Sequence, residues 1–219
     1  EYLPGEFVAY KRLTCGQYLK FMAGFYEDTA ATEGRGRELA DYFNLDLSRR
    51  VSECSQGMKQ KLGLIQVFMV DCPLYVLDEP TSGLDPLIQQ KFYRLIDEKK
   101  EDDKTIFLSS HILSEVERIC DRVAIIRNGE LVEVNTVDNI KNKKFKKVKV
   151  IYKDDISEDF FDREGIEIES RRELEMVVRI TSNLGENLHH LTSKPVQDIN
   201  VLNPSLEEVF LSYYGSDES

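Results

Sequence analysis

The chain has 219 residues, with 29 lysines and arginines against 40 aspartates and glutamates, for a formal net charge of -11. That length holds one or two domains with a real core, and so acidic a balance argues against nucleic acid as a partner, since nucleic-acid binders usually show a basic face. No stretch reads as a signal peptide or approaches the ~20 apolar residues of a membrane span, and four cysteines without metal spacing (Cys15, Cys54, Cys72 and Cys120) suit reduced thiols in a cytosol.

In chain order, Thr14-Cys15-Gly16-Gln17 has capping-box form and opens a helix whose apolar face is Tyr18, Leu19, Phe21, Met22 and Phe25. Gly34-Arg35-Gly36 reads as loop, with a second helix from about Gly36 to Phe43 that ends near Asn44. Ser55 is a helix N-cap before Met58, Leu62, Leu64, Ile65, Phe68 and Met69, which recur at helical spacing. A helix N-terminus offers unpaired N–H groups and positive dipole, and Gly57 allows close approach to the backbone. The plain alternative is an ordinary capped amphipathic helix.

Next comes Leu74-Tyr75-Val76-Leu77-Asp78-Glu79-Pro80, an apolar run ending in two adjacent acids. It reads as a buried strand that delivers carboxylates to the edge where open α/β sheets bind ligands. Strand alternation would send Asp78 and Glu79 to opposite sides, so that one serves a metal and the other a water. Thr81-Ser82-Gly83-Leu84-Asp85 follows, then a helix near 87–100. Thr105 to Ser109 is a second buried strand, and His111 just beyond it could meet a phosphate at the same edge, or simply bond within the turn before a helix near 112–119. Strands near 122–127 and 131–134 join through Asn128-Gly129, a strong hairpin signal.

Lys141 to Lys149 is a basic run in an acidic protein, either a solvated linker or a site for anionic lipid headgroups. Beyond it, Val148–Tyr152 and Glu173–Ile180 alternate like strands, and 183–193 and 205–213 read as helices. Pro204-Ser205 and Gly215 punctuate the last of these. His189 and His190 read as a surface pair, because adjacent helical residues face different ways.

Four of these features, in this order, resemble the ATP-binding-cassette (ABC) ATPases. Ser55-Gln56-Gly57-Met58-Lys59-Gln60 is similar to the family signature loop, with Gln56 and Met58 departing from its commonest form. Leu74 to Glu79 resembles the Walker B strand, Ser82-Gly83-Leu84-Asp85 the D-loop and His111 the switch histidine. The tail Pro204 to Gly215 resembles the terminal helix of ABC-2 exporter cassettes. The resemblance covers residues 2 to about 137 and implies an α/β fold. That fold is a partial P-loop ATPase core over 1–137, with a helical signature subdomain at about 12–61 and the rest of the core at 62–137. A basic linker at 138–147 and a small α+β accessory domain at 148–215 would follow.

No G-x-x-x-x-G-K-[ST] phosphate loop occurs, and Gly5 stands where the Q-loop glutamine is usual. The resemblance therefore implies a cassette truncated before its Q-loop and inactive alone. It also implies ATP and Mg²⁺ as cofactors. Glu79 would orient the attacking water and His111 would bond the γ-phosphate. Asp78 would hold the metal through water. Ser55, Gln56, Gly57 and Met58 would hold the nucleotide of a second cassette, with Asp85 communicating across the pair. A transmembrane permease at the cytoplasmic side of the membrane is the implied partner, contacted by a groove that Tyr10, Phe21, Phe25 and Tyr26 could line. Core packing is the plainer role for those aromatics. The alternative function is a non-hydrolysing fragment that offers its signature face to a complete cassette. A translation-factor or DNA-repair cassette fits poorly, for want of a second cassette or a coiled-coil arm.

Overall fold

The computed structural model describes residues 1–143 and 145–214, and the chain divides into two compact units between Ile112 and Leu113. The first unit opens with strand β1 (Tyr2–Leu3) and three helices, α1 (Cys15–Ala23), α2 (Thr29–Tyr42) and α3 (Gln56–Phe68). Strand β2 (Leu74–Asp78), helix α4 (Pro86–Glu101) and strand β3 (Thr105–Ser109) complete it. The expected capping box is present at α1: Gln17 N–H donates to the Thr14 hydroxyl at 3.1 Å, and Thr14 N–H donates to Gln17 Oε1 at 3.0 Å.

The stretch Gly34-Arg35-Gly36, expected as loop, is helical and lies inside α2. Asp28 starts that helix by accepting from Ala31 N–H at 3.0 Å, and the Glu33–Arg37 pair braces it at 2.7 Å. Gly36 serves close packing rather than a turn, since a Cβ there would lie 3.3 Å from Met69 Sδ. The helix ends as expected, with Asn44 in the left-handed region at φ 54°.

The three strands form a parallel sheet in the order β1-β2-β3. Alternation sorts its two faces. Leu3, Tyr75 and Leu77 are buried with Leu62, Ile65, Phe68 and Phe92 from the helices, whereas Tyr2 and Phe107 are 56% and 65% exposed on the other face. Within the core Cys15 and Cys54 sit 3.6 Å apart, and burial pushes the Cys15 thiol up to about 12, so it packs as an inert apolar group.

Helix α3 approaches β1 so closely that a Cβ at Gly63 would meet Leu3 Cδ1 at 2.7 Å and the Phe7 ring at 2.9 Å, whereas Gly34 has nothing within 4 Å. Gly63→Ala should therefore destabilise the unit by about 1–3 kcal/mol through overpacking. Gly34→Ala should leave stability unchanged or raise it by about 0.5–1 kcal/mol. Urea unfolding of the two variants checks the contrast, and equal midpoints would contradict it.

The second unit begins with α5 (Leu113–Ile119) and the hairpin of β4 (Arg122–Arg127) and β5 (Glu130–Thr136). Asn128 and Gly129 turn it at φ 52° and 79°, as a type I′ turn requires. Then come α6 (Val137–Lys143), β6 (Lys146–Tyr152), β7 (Ile166–Arg172), β8 (Glu175–Ile180), α7 (Leu184–Leu191), β9 (Val196–Leu202) and α8 (Leu206–Tyr214). The last four strands form an antiparallel sheet, β7-β8-β6-β9. Val148, Val150, Tyr152, Met176, Val178 and Leu191 fill the core on one of its faces.

Residue 137, the expected end of the cassette, is the first residue of α6, and the described residues of the run 138–147 fall largely in α6 and the start of β6. Three lysines of the basic run 141–149 find carboxylate partners within the unit. Lys141 pairs with Glu117, Lys147 with Glu169 and Glu208 at 2.8 Å each, and Lys149 with Glu175 at 2.5 Å. Lys144 and the expected helix stop Gly215 lie outside the described residues.

Glu208 carries a pH signature. Burial alone raises its carboxyl, but donation from Lys147 and from Ser205 N–H holds it below the ordinary glutamate range. A depressed folded value contributes stability above the unfolded value, ~4.3, and that contribution is lost as pH falls through the folded value. Glu208→Gln should therefore flatten the acid limb of the thermal-midpoint profile between pH 2 and 5 (about the carboxylate range). An unchanged limb would assign the acid loss elsewhere.

Candidate functional site

Strand β2 carries Asp78 to the carboxyl edge of the sheet, in register with Ser109 at the end of β3. The Ser109 hydroxyl donates to Asp78 Oδ1 at 2.5 Å. Glu79 N–H donates to both Ser109 O and Ser109 Oγ at 3.2 Å. The two acids do diverge, though not through strand alternation: β2 ends at Asp78, and Glu79 occupies the left-handed region at φ 47°. That kink aims the Glu79 carboxylate at His111, whose Nδ1 lies 2.8 Å from Glu79 Oε2. His111 is 75% exposed, so one face of this acid–imidazole pair opens to solvent.

The loop after β1 passes directly beside Asp78. A Cβ at Gly5 would lie 3.0 Å from Asp78 Oδ2, so glycine leaves that carboxylate oxygen approachable. This bears on Mg²⁺, which takes hard oxygen ligands, keeps several waters and commonly uses one or two carboxylates with substrate phosphates. The Asp78 carboxylate, with Oδ1 on the Ser109 hydroxyl, is a ligand of the kind that mode uses. Among the described residues no cluster of three His, Cys, Asp or Glu side chains forms an all-protein metal cage.

The serine-led loop meets the turn after β2 from the other side. Ser55 caps α3 by accepting from Met58 N–H at 3.3 Å. Gly57 faces Gly83: a Cβ on Gly57 would come within 2.5 Å of the Gly83 carbonyl oxygen, and Gly83 itself has φ 71°. The absent side chain thus accommodates the chain's own backbone. Gln56 is exposed, Met58 is half-buried and its Sδ accepts from Arg49 Nη1 at 3.6 Å. Asp85 caps α4, accepting from Leu87 N–H at 3.1 Å and Ile88 N–H at 3.0 Å ahead of Pro86.

Two residues of this site, Ser109 and Gln60, carry no role in the sequence reading, although Gln60 closes the signature-like run. Ser109 was legible in principle, because parallel strands ending together place it beside Asp78. Gln60 gave less signal, since a glutamine inside an amphipathic helix reads as surface. It is 1% exposed, and its Nε2 donates to Glu79 O at 3.2 Å and to Pro80 O at 3.0 Å. Of the expected groove aromatics, Tyr10, Phe21 and Phe25 are 60%, 45% and 69% exposed, and their rings meet edge to face at 5.4 and 5.2 Å. Core packing is therefore not their role. Tyr26 is half-buried, its hydroxyl donating to Glu1 at 2.7 Å.

Residues 38–117 match the family model described as AAA domain, putative AbiEii toxin, Type IV TA system. A solved structure, described as the ATP-binding subunit of an ABC transporter, is 37% identical with a TM-score of 0.59, over 65% of this chain and 60% of that one. The chain is homologous to ABC transporter ATP-binding proteins. It has the mixed α/β architecture of the ABC-ATPase fold, with helical and sheet subdomains. An uncharacterized ABC transporter ATP-binding protein of a Nostoc species is 40% identical over 64% of this chain and 43% of its own length. The bacitracin transport ATP-binding protein BcrA of Bacillus licheniformis is 34% identical over 78% of this chain and 58% of its own length. The chain thus spans about half the length of these curated relatives.

The Gly57–Gly83 contact is testable without any ligand. Gly57→Ala should drive α3 and the 82–84 turn apart and lower unfolding free energy by about 1–3 kcal/mol. Exchange of the turn amides should rise in parallel. A variant with wild-type stability and wild-type exchange would show that the contact constrains nothing.

Proposed function

We propose that the protein is the ATP-binding and hydrolysing subunit of an ABC-2-type exporter, coupling hydrolysis to transport through a separate membrane subunit. The observation that carries this reading is the pairing of Glu79 with His111 beside the carboxylate of Asp78, at one sheet edge. Phosphoryl transfer asks a protein mainly for positioning and charge stabilisation, and these side chains are of the right kinds. Asp78 would hold a Mg²⁺ ion through water, and the ion would supply charge neutralisation at the phosphates. Glu79 orients or deprotonates the attacking water. His111 donates toward the γ-phosphate from its exposed ring edge.

The serine-led N-terminus of α3, with Ser55, Gln56, Gly57 and Met58, faces the nucleotide of a second cassette, and Asp85 lies on the path between the two. In this reading the ATPase cassette occupies residues 1–137 and the accessory domain 148–215. The exposed Tyr10–Phe21–Phe25 cluster is the surface offered to the permease, which places the protein peripherally at the cytoplasmic face of the membrane. No described helix is long and apolar enough to cross a membrane.

Within these 219 residues nothing forms a G-x-x-x-x-G-K-[ST] phosphate cradle. Titration calorimetry of this chain with Mg-ATP should accordingly show no micromolar binding and no turnover. Fused to a strand, phosphate loop and helix that supply the cradle, the same residues should bind and hydrolyse. Glu79→Gln should then lower kcat about 10²–10⁴-fold, with KM little changed. Micromolar binding by the unfused chain would place the nucleotide elsewhere. A fused protein that binds without hydrolysing, but stimulates a complete cassette when mixed with it, would favour an interaction role for the signature face.

A further inference from the structure

Glu79 is the most constrained residue of the site, and the constraint has an identifiable source. A non-glycine residue in the left-handed region is strained and persists only where its surroundings over-determine it. Here its N–H is held by Ser109, and its carbonyl is held by Gln60. Gln60 bridges two consecutive carbonyls, those of Glu79 and Pro80, with one amide nitrogen. The amide orientation follows from chemistry, since the reversed form would set an oxygen against both carbonyls.

The other half of that side chain is informative. Gln60 Oε1 is buried and has no hydrogen-bond partner among the described residues, which is unfavourable. Packing alone would be better served by an apolar residue of the same length. A glutamine accepts that cost only in return for the two bonds its nitrogen makes. Gln60 also shares a helical stripe with Gly57, Leu64 and Val67 at spacings of three and four residues. One face of α3 therefore grips the turn twice, by backbone contact at Gly83 and by hydrogen bonds at Glu79 and Pro80.

We infer that Gln60 is a positioning residue: it fixes the kinked backbone of Glu79 so that the Glu79 carboxylate stays directed at His111. The inference rests on the proposed role of Glu79 as the acid that handles water, but its test needs no nucleotide. The amide and carboxyl signals of Glu79 and the imidazole signals of His111 are followed by NMR in the 219-residue chain, alongside unfolding in urea. Gln60→Met keeps length and volume while removing the donor. It should shift both sets of side-chain signals and speed exchange of the Glu79 amide at least about tenfold. A Glu79→Gln change, which moves the His111 signals in the parent chain, should move them far less in that background.

Gln66→Met supplies the control, because it removes a different α3 hydrogen bond, from the Tyr18 hydroxyl at 2.5 Å, and should leave Glu79 and His111 undisturbed. Should Gln60→Met not fold, Gln60→Asn retains the amide but withdraws it by one methylene, and the same shifts are expected. Wild-type Glu79 and His111 signals in a folded Gln60 variant, with only the urea midpoint altered, would reduce Gln60 to a packing residue and overturn the proposal. Because no signal depends on ATP, failure of the chain to bind nucleotide would leave this result standing on its own.

Discussion

The grip of α3 on the turn after β2 is the constraint from which the geometry of the first unit follows. It combines a backbone-on-backbone approach that only glycine at 57 permits with a buried amide spanning two carbonyls. Gly57 meets the turn by backbone contact, and Gln60 meets it by two hydrogen bonds. Both residues fall on one stripe of a helix whose apolar residues, Leu62, Ile65 and Phe68, are fully buried in the core. Core packing thus aims the site, and a methylene lost or gained under α3 is felt at Glu79.

The energetic scale is consistent with this arrangement. Holding Glu79 left-handed costs of order 1–3 kcal/mol, and two or three hydrogen bonds at about 1 kcal/mol each are of the same size. The kink is affordable only because its donor and its acceptor are both met, by Ser109 on one side and Gln60 on the other. Its consequence is chemical. With β2 continued regularly, Glu79 would project as the next strand residue, and the kink turns its carboxylate to His111 instead. Asp78, still on the strand, keeps one oxygen on the Ser109 hydroxyl and the other beside Gly5. Adjacent acids thereby acquire different surroundings, which separate roles for them require.

Much of this was legible in the sequence, and the failures have physical reasons. The strands at 74–78 and 105–109, the Ser55 cap and the Asn128-Gly129 turn rest on local chemistry that tertiary context did not override. Helix α2 was begun too late because Gly34 and Gly36 read as breakers, whereas close approach to Met69 is what Gly36 provides. Strands β7 and β9 went unnoticed because Ile-Glu-Ile-Glu-Ser-Arg-Arg and Val-Gln-Asp-Ile-Asn-Val-Leu lose their alternation within a few residues. The ion pairs of the basic run are illegible in the sequence for a different reason. Its charge is conspicuous along the chain, but its partners Glu117, Glu169, Glu175 and Glu208 are distant in sequence, and only folding brings them together. Within the site, acids and imidazole announce themselves by type, while Gln60 is meaningful only once the carbonyls it bridges have been placed.

The same constraint bears on how two sites of a cassette pair would be related under the proposed function. Ser55 uses its hydroxyl to cap Met58 N–H, and the earliest N–H groups of any helix lack intrahelical partners, so the tip of α3 is left with donors for an external anion. The acids at the end of β2 face a different task, at the chain's own sheet edge. In a head-to-tail pair these two ends of the structure would serve different nucleotides, yet Gln60 and Gly57 tie them into one body through a few residues of α3 and the 79–84 turn. Under the proposed roles a shift at the helix tip would be felt at Glu79 or at the Gly57–Gly83 contact, and close-packed elements of this kind respond in discrete steps rather than by gradual deformation.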